Sequence, residues 1–130
     1  MNSRTSNLSR YLYIFVGISG CFSVLFGAWL AHGASHISME DLSRLNTALN
    51  YQFIHTLALF VALIWFQKNA TIIWLKISVV LFCLGIIGFS GTLYLKYLAG
   101  ISFIGVITPY GGMMLALAWL SLAIAGKKQL

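Results

Sequence analysis

Four long runs of apolar residues take up most of this chain and restrict what it can fold into. The first run, from Tyr11 to Ala31, holds twenty-one residues without a charged side chain. As an α-helix it would rise about 31 Å, which matches the roughly 30 Å hydrocarbon core of a bilayer. The other runs cover about 51–67, 77–95 and 101–125. Because continuous apolar runs of this length do not suit barrel strands, they predict an all-α, polytopic membrane protein with four transmembrane helices.

The composition agrees with a membrane as the solvent of this chain. Of the 130 residues, 60% are apolar and 8% are charged, whereas a soluble domain is about half apolar and a quarter charged. The four runs leave no room for a second domain, so we expect one transmembrane domain over residues 1–130. The basic residues lie singly between the runs rather than in a patch, and nucleic acid is therefore not expected as a partner.

The basic residues indicate how the chain is oriented. Four spans bring both termini and the loop 67–76 to one side of the membrane, and six of the eight Lys and Arg residues fall on that side. Only Arg44 and Lys96 fall on the other. Because Lys and Arg are enriched in cytoplasmic loops, both termini are predicted to be cytoplasmic. The six residues are Arg4, Arg10, Lys68, Lys76, Lys127 and Lys128.

A short amphipathic helix is predicted over about 39–50, between the first two spans. Ser38 is a favourable N-cap, and two acidic residues stand in the first turn after it. The segment contains no Pro or Gly before Gln67, so the helix either lies on the outer surface or continues directly into the second span. Its apolar residues recur at spacings of three and four and are Met39, Leu42, Leu45 and Leu49.

Polar residues that are unusual in membrane helices fall in one layer of the predicted spans, towards the outer side. Pro109 interrupts the fourth run, and the backbone groups that a proline frees are tolerated in a membrane only inside protein or in a wet cavity. The pattern predicts an outward-facing polar site. Its candidate residues are His32, Tyr51, Gln52, His55, Ser90, Thr92, Thr108 and Pro109.

Helix packing is the competing interpretation of the same residues. Ser and Thr in membrane helices often bond to backbone carbonyls, and glycines allow helices to approach closely. His55 differs from them, because an ionisable residue inside a span is by default a candidate site, although its neutral form needs only one hydrogen-bond partner. The candidate packing glycines are Gly17, Gly20, Gly27, Gly85, Gly88, Gly91, Gly111 and Gly112.

Motifs for catalysis or cofactor binding are weak or missing in the sequence. The only two carboxylates lie on the amphipathic helix, and no phosphate-binding loop, nucleophile elbow or zinc-protease motif is present. His32 and His36 have a spacing that can bind a metal on a helix, but the intervening Gly33 indicates a turn. Haem ligation by either of them together with His55 is conceivable at equal depth but has no motif behind it. We expect no enzymatic activity and no cofactor.

Several short motifs resemble those of a known family in order and spacing. They are Gly27-Ala28-Trp29-Leu30-Ala31-His32-Gly33, then Tyr51-Gln52 with His55, then Phe89-Ser90-Gly91-Thr92-Leu93-Tyr94, and then Thr108-Pro109-Tyr110-Gly111-Gly112 with Trp119. The chain, from about Gly17 to Ala125, resembles the domain-of-unknown-function 423 family of YgdD-like small membrane proteins. This resemblance implies a four-helix integral protein of the bacterial inner membrane with no established activity or cofactor. The family usually has Phe or a similar residue where Trp29 stands.

Three functions are compatible with this sequence. The first in rank is a non-enzymatic membrane protein that associates with itself, with lipid or with a membrane partner. The second is a small oligomeric permease or channel that uses an outer-leaflet polar site. The third is a binder of haem, metal or quinone through the histidines.

Overall fold

The chain folds almost entirely into helices. A computed structural model describes residues 3–128, and its five α-helices are α1 (Ser3–His32), α2 (Met39–Lys68), α3 (Ile73–Ile86), α4 (Thr92–Leu98) and α5 (Thr108–Lys127). A π-helical segment, Ile87–Gly91, joins α3 to α4, and a 3₁₀ helix, Ser102–Val106, precedes α5.

Four helical stretches of the described chain are long and apolar enough to cross a membrane. They confirm the prediction of an all-α protein with four spanning helices. The stretches are Ser6–His32, Met39–Lys68, Ile73–Leu98 and Ser102–Lys127.

The segment 39–50 is not a separate surface helix but forms the first three turns of α2. With no helix breaker between Met39 and Lys68, α2 runs without interruption. The Ser38 hydroxyl caps it by accepting a hydrogen bond from the Asp41 N–H at 3.2 Å. Because α2 begins this early, Gln52 lies thirteen residues, or about 20 Å, from its start. The apolar run at about 51–67 would place Gln52 at the start of the second span. In the structure, Gln52 lies near the middle of α2.

Pro109 begins a helix and does not break one. It occupies the first turn of α5, directly after the 3₁₀ helix. The N–H groups of a first turn have no intrahelical partner, so the donor that Pro109 lacks costs little there. The expected exposure of freed carbonyls within the fourth span is therefore a prediction that the helix boundaries do not support.

Each spanning helix packs mainly against its neighbours in the chain. The extensive contacts join α1 to α2, α2 to α3, and α3 to α5. Each span contains an apolar stretch of eighteen residues. In the two middle spans 33% and 39% of that stretch is buried, against 22% and 17% in the first and last spans. The helices thus form an open array with α1 and α5 at its edges. Its central core includes Leu59, Leu63, Phe66, Leu75, Val79, Phe82, Leu115 and Ala118.

The tightest helix contact joins the end of α3 and the π-helical segment to α5. A Cβ atom on Gly111 would overlap the backbone of Gly88 and Phe89, and one on Gly85 would lie 2.6 Å from Cδ2 of Leu115. About two turns away along the same pair of helices, the Ser78 hydroxyl donates to the Ala118 carbonyl at 2.9 Å. Close approach at small residues is a main source of helix association in lipid.

The other candidate packing glycines have looser surroundings. A Cβ on Gly27 would lie 3.3 Å from Leu49, and one on Gly112 would make an ordinary contact of 3.5 Å with Phe89. Three of these candidate glycines face open space, with nothing inside 4 Å of the Cβ position. They are Gly17, Gly20 and Gly91.

Candidate functional site

Gln52, at the middle of α2, is the centre of a hydrogen-bond network that joins three helices. Its Nε2 group donates to the Ser19 Oγ at 3.0 Å and to the Ser19 carbonyl at 3.3 Å, both on α1. Its Oε1 accepts from the Tyr94 hydroxyl of α4 at 2.7 Å. The Ser19 hydroxyl also pairs with the Thr56 hydroxyl at 2.7 Å. Both the nitrogen and the oxygen of the Gln52 side-chain amide are thus hydrogen-bonded inside the protein.

A cleft of about 250 Å³ lies between α1 and the third span, with this network as its polar lining. Tyr94 packs against Phe22 and Phe26 of α1, with ring centroids 5.4 and 4.9 Å apart. Most of the remaining wall is apolar side chain. The lining residues are Phe15, Ile18, Ser19, Phe22, Gln52, Ile86, Ile87, Ser90, Gly91 and Tyr94.

Every polar side chain that lines this cleft already has a partner within the protein. Besides the Gln52 network, the Ser90 hydroxyl donates to the Ala48 carbonyl on α2 at 2.6 Å. A molecule in the cleft would therefore meet apolar walls and polar groups whose hydrogen bonds are in use. Such a surface suits a hydrocarbon occupant, because a polar occupant would lose its own hydrogen bonds on entry.

The π-helical segment forms part of the cleft wall and is stabilised by Thr92. The Thr92 hydroxyl lies 2.7 Å from the Gly88 carbonyl and 3.0 Å from the Phe89 carbonyl, so it can donate to groups at the irregular turn. It also pairs with the Thr108 hydroxyl at 2.8 Å. Thr92, Thr108 and Pro109 thus form a second group at the start of α5, apart from Gln52. π-Helical turns are frequent at functional sites.

His55 lies on a different side of α2 from the cleft. Its Nδ1 atom donates to the Tyr51 carbonyl at 2.6 Å, because the carbonyl can only accept. The imidazole contacts the rings of Phe82 and Trp119, with centroids 6.1 and 6.2 Å away. Tyr51 itself stacks on Phe89 at 4.5 Å. Apart from His32, the predicted polar residues are therefore divided among three places and do not form one site.

His32 takes no part in any of these groups. His32 is exposed at the end of α1, thirteen residues after Ser19. His55 lies three residues after Gln52 on α2, which runs in the opposite direction to α1, so the two histidines lie on opposite sides of the Ser19–Gln52 hydrogen bonds along the array. Since Ser19 and Gln52 are bonded, about 24 Å of helix separates the two imidazoles along the array. His32 and His55 of one chain therefore do not lie at equal depth in the array. The described residues contain no group of three His, Cys, Asp or Glu side chains that could hold a metal ion.

Three members of the network, Ser19, Thr56 and Tyr94, were not among the predicted site residues. Ser19 and Ser23 stand four residues apart on α1, and the Ser23 hydroxyl donates to the Ser19 carbonyl at 2.8 Å. This spacing places both hydroxyls on one face of α1. Two serines at this spacing within an apolar run are the sequence signal that could have predicted the part of the network that lies on α1.

Known proteins similar to this chain are membrane proteins without a described activity. The chain is 39% identical over 122 residues to "UPF0382 membrane protein" of Haemophilus influenzae, covering 92% of this chain and 95% of that protein. It is 35% identical over 112 residues to "UPF0382 inner membrane protein YgdD" of Escherichia coli strain K12, covering 85% of each. It is 33% identical over 121 residues to "UPF0382 membrane protein YwdK" of Bacillus subtilis, covering 92% of this chain and 98% of that protein.

No solved structure matches the chain. Residues 26–112 match the family described as "Protein of unknown function (DUF423)", and this range includes α2, the whole third span and the start of α5. This match and the identity to the membrane proteins above agree with the four spanning helices, and the chain belongs to the DUF423 family of membrane proteins.

Proposed function

We propose that this protein is non-enzymatic and acts by associating with membrane lipid, through the cleft between α1 and the third span. The observation that carries the proposal is the state of the cleft lining: the walls are apolar, and Ser19, Gln52, Ser90 and Tyr94 are all hydrogen-bonded within the protein. Voids beside a membrane helix are filled by lipid chains, and a hydrocarbon chain is the occupant that loses least in this cleft.

The same lining favours lipid over a permeation path or a catalytic site. A permeation path replaces the hydration of its solute with free polar groups, and catalysis needs groups free to contact the reacting atoms. In the cleft, the amide of Gln52 and the hydroxyls of Ser90 and Tyr94 are bound to protein atoms instead. The imidazole of His55, near the middle of α2, faces aromatic rings away from the cleft.

Filling the cleft by mutation is expected to displace lipid from it. Gly91 lines the cleft, and no atom lies within 4 Å of its Cβ position, so the side chain of Gly91→Leu can leave the backbone without overlap and adds volume to the cleft. The probe is phosphatidylcholine with a diazirine in the middle of one acyl chain, placed in vesicles with the full-length protein. We expect photo-labelling of Phe15 and Ile86 to fall about tenfold in this variant.

Gly17→Leu is the matched control for this experiment, because Gly17 also faces open space but does not line the cleft. It should leave the labelling of Phe15 and Ile86 unchanged. The proposal is overturned if these residues of the wild-type protein are labelled no more than the buried Val79, or if Gly91→Leu leaves their labelling intact.

The expected location is the bacterial inner membrane with both termini in the cytoplasm. The E. coli relative is named an inner membrane protein, and the six basic residues near the termini and the loop between α2 and α3 stand at one end of the array. Alkaline phosphatase, which is active only outside the cytoplasm, should be inactive when fused after Leu130. A fusion after Gly100, between α4 and α5, should be active. The opposite activities would reverse the orientation.

A further inference from the structure

A second cavity, of about 380 Å³, lies at the Arg44 end of the array and is lined by residues that do not touch the cleft. Arg44 of α2 and Lys96 of α4 line it, together with Gly105 of the 3₁₀ helix and Thr108 and Pro109 of α5. Three of the four spanning segments therefore contribute a wall, and the polar side chains of the lining are Arg44, Lys96, Tyr97 and Thr108.

The two cations in this cavity lack an anionic partner. Neither Arg44 nor Lys96 forms an ion pair with any residue between 3 and 128. Lys96 is partly buried, and its Nζ lies 5.2 Å from the centroid of the Tyr97 ring. Two like charges in one concavity repel each other, and a bound anion removes that cost. The start of α5 adds to the positive field, since no side chain caps its free N–H groups.

An apolar cavity of about 360 Å³ lies further along the same two helices. It is lined by side chains from α2 and α5, including Ala58, Val61, Trp119 and Leu122. Fourteen residues separate Arg44 from Ala58 on α2, and fourteen separate Thr108 from Leu122 on α5, so each helix spans about 21 Å between the two cavities. The cationic and apolar cavities therefore occur in the same order and at the same spacing on both helices.

We propose that the face between α2 and α5 binds an anionic phospholipid, with its phosphate against Arg44 and Lys96 and one hydrocarbon chain against Ala58 and Trp119. The charge of the first cavity matches the phosphate, and the apolar lining of the second matches the chain. The second cavity begins at Ile54, ten residues or about 15 Å from Arg44 along α2. This distance is about half of the roughly 30 Å hydrocarbon core, so an acyl chain of one leaflet can reach the cavity from a headgroup at the membrane surface. This site goes beyond the lipid cleft and does not depend on it.

The test compares lipids retained by the full-length protein in native mass spectrometry after release from vesicles of phosphatidylglycerol and phosphatidylcholine. We expect the wild-type protein to retain phosphatidylglycerol about tenfold more strongly, and the double variant Arg44→Gln, Lys96→Gln to lose this preference. The matched control is Lys68→Gln, Lys76→Gln, which removes two cations at the other end of the array and should keep the preference. Equal loss in both double variants would mean that net charge alone attracts the lipid, and would overturn the site.

Two further arms separate the headgroup from the chain. Ala58→Phe, which fills the apolar cavity, should lower phosphatidylglycerol retention about fivefold while the thermal unfolding temperature stays close to wild type. Inorganic phosphate alone should fail to raise that temperature; a rise that depends on Arg44 and Lys96 would identify a free-anion site and overturn the lipid proposal. Gly91→Leu should not change the preference for phosphatidylglycerol, so failure of the cleft proposal and failure of this one are distinguishable.

Discussion

Replacing Gly111 with Ala should lower the free energy of unfolding by about 3 kcal/mol, a larger effect than we expect from any other small substitution in this chain. The new methyl group would overlap the backbone of Gly88 and Phe89. A backbone cannot rotate away as a side chain can, so α5 would have to separate from α3 and the π-helical segment. That separation would loosen the packing of Leu115 and Ala118, which lie further along α5 in the central core.

Gly112→Ala is the matched control for this prediction. Its Cβ would make an ordinary contact of 3.5 Å with the Phe89 ring, and Ala is favoured over Gly in a helix by about 0.5–1 kcal/mol. We therefore expect this variant to be as stable as wild type or slightly more stable. Reversible unfolding of both variants in mixed micelles with increasing SDS measures the difference. Equal stability of the two variants would show that the α3–α5 contact is less close than described above.

Replacing Gln52 with Leu should lower the free energy of unfolding by about 2 kcal/mol. The variant loses two hydrogen bonds to Ser19 and one from Tyr94, and hydrogen bonds between membrane helices contribute on average about 0.6 kcal/mol each, with a maximum near 1.7. The lost hydrogen bonds should weaken mainly the packing of α1 on the rest of the protein, because α1 packs extensively only against α2.

A double-mutant cycle tests whether the network acts as one unit. Tyr94→Phe removes only the bond to Gln52 Oε1 and should cost about a third as much as Gln52→Leu. In the Gln52→Leu background the same change should cost almost nothing, since its partner is already gone. Asn46→Leu serves as a control, because the Asn46 amide is exposed and donates to the Leu42 carbonyl of its own helix. Fully additive effects of the two network substitutions would contradict the described hydrogen bond.

The number and type of the helices could be predicted from the sequence because apolar runs long enough to cross a bilayer have few alternative structures. The sequence does not decide whether the segment 39–50 lies on the membrane surface or continues into the second span, since an amphipathic pattern without Pro or Gly suits both. The packing of the Leu45 and Ala48 side chains inside the array decides it: both are fully buried, which requires the first turns of α2 to lie against neighbouring helices.

The grouping of the polar residues could not be predicted because lipid and protein interiors are both apolar. In a soluble protein, the polar face of a helix is the face that contacts solvent. Here a leucine can face lipid, as the exposed Leu25 does, or the protein interior, as the buried Leu59 does, so residue type does not tell the two faces apart. The sequence therefore singles out Gln52 and His55 as unusual residues but does not reveal that they face different neighbours. It likewise could not separate Gly111, which contacts backbone, from Gly91, which faces open space.

The order of helix packing has a consequence for how the chain assembles. Because α1 packs on α2, α2 on α3 and α3 on α5, each helix finds its main partner in the segment made just before it. Contacts between neighbours in sequence require little loop-closure entropy and favour rapid folding. The hairpin of α1 and α2 has its Ser19–Gln52 and Ser19–Thr56 hydrogen bonds available as soon as both helices are inserted. Co-translational assembly can then proceed one helix at a time, and the first hairpin does not have to wait for the last helix to leave the ribosome.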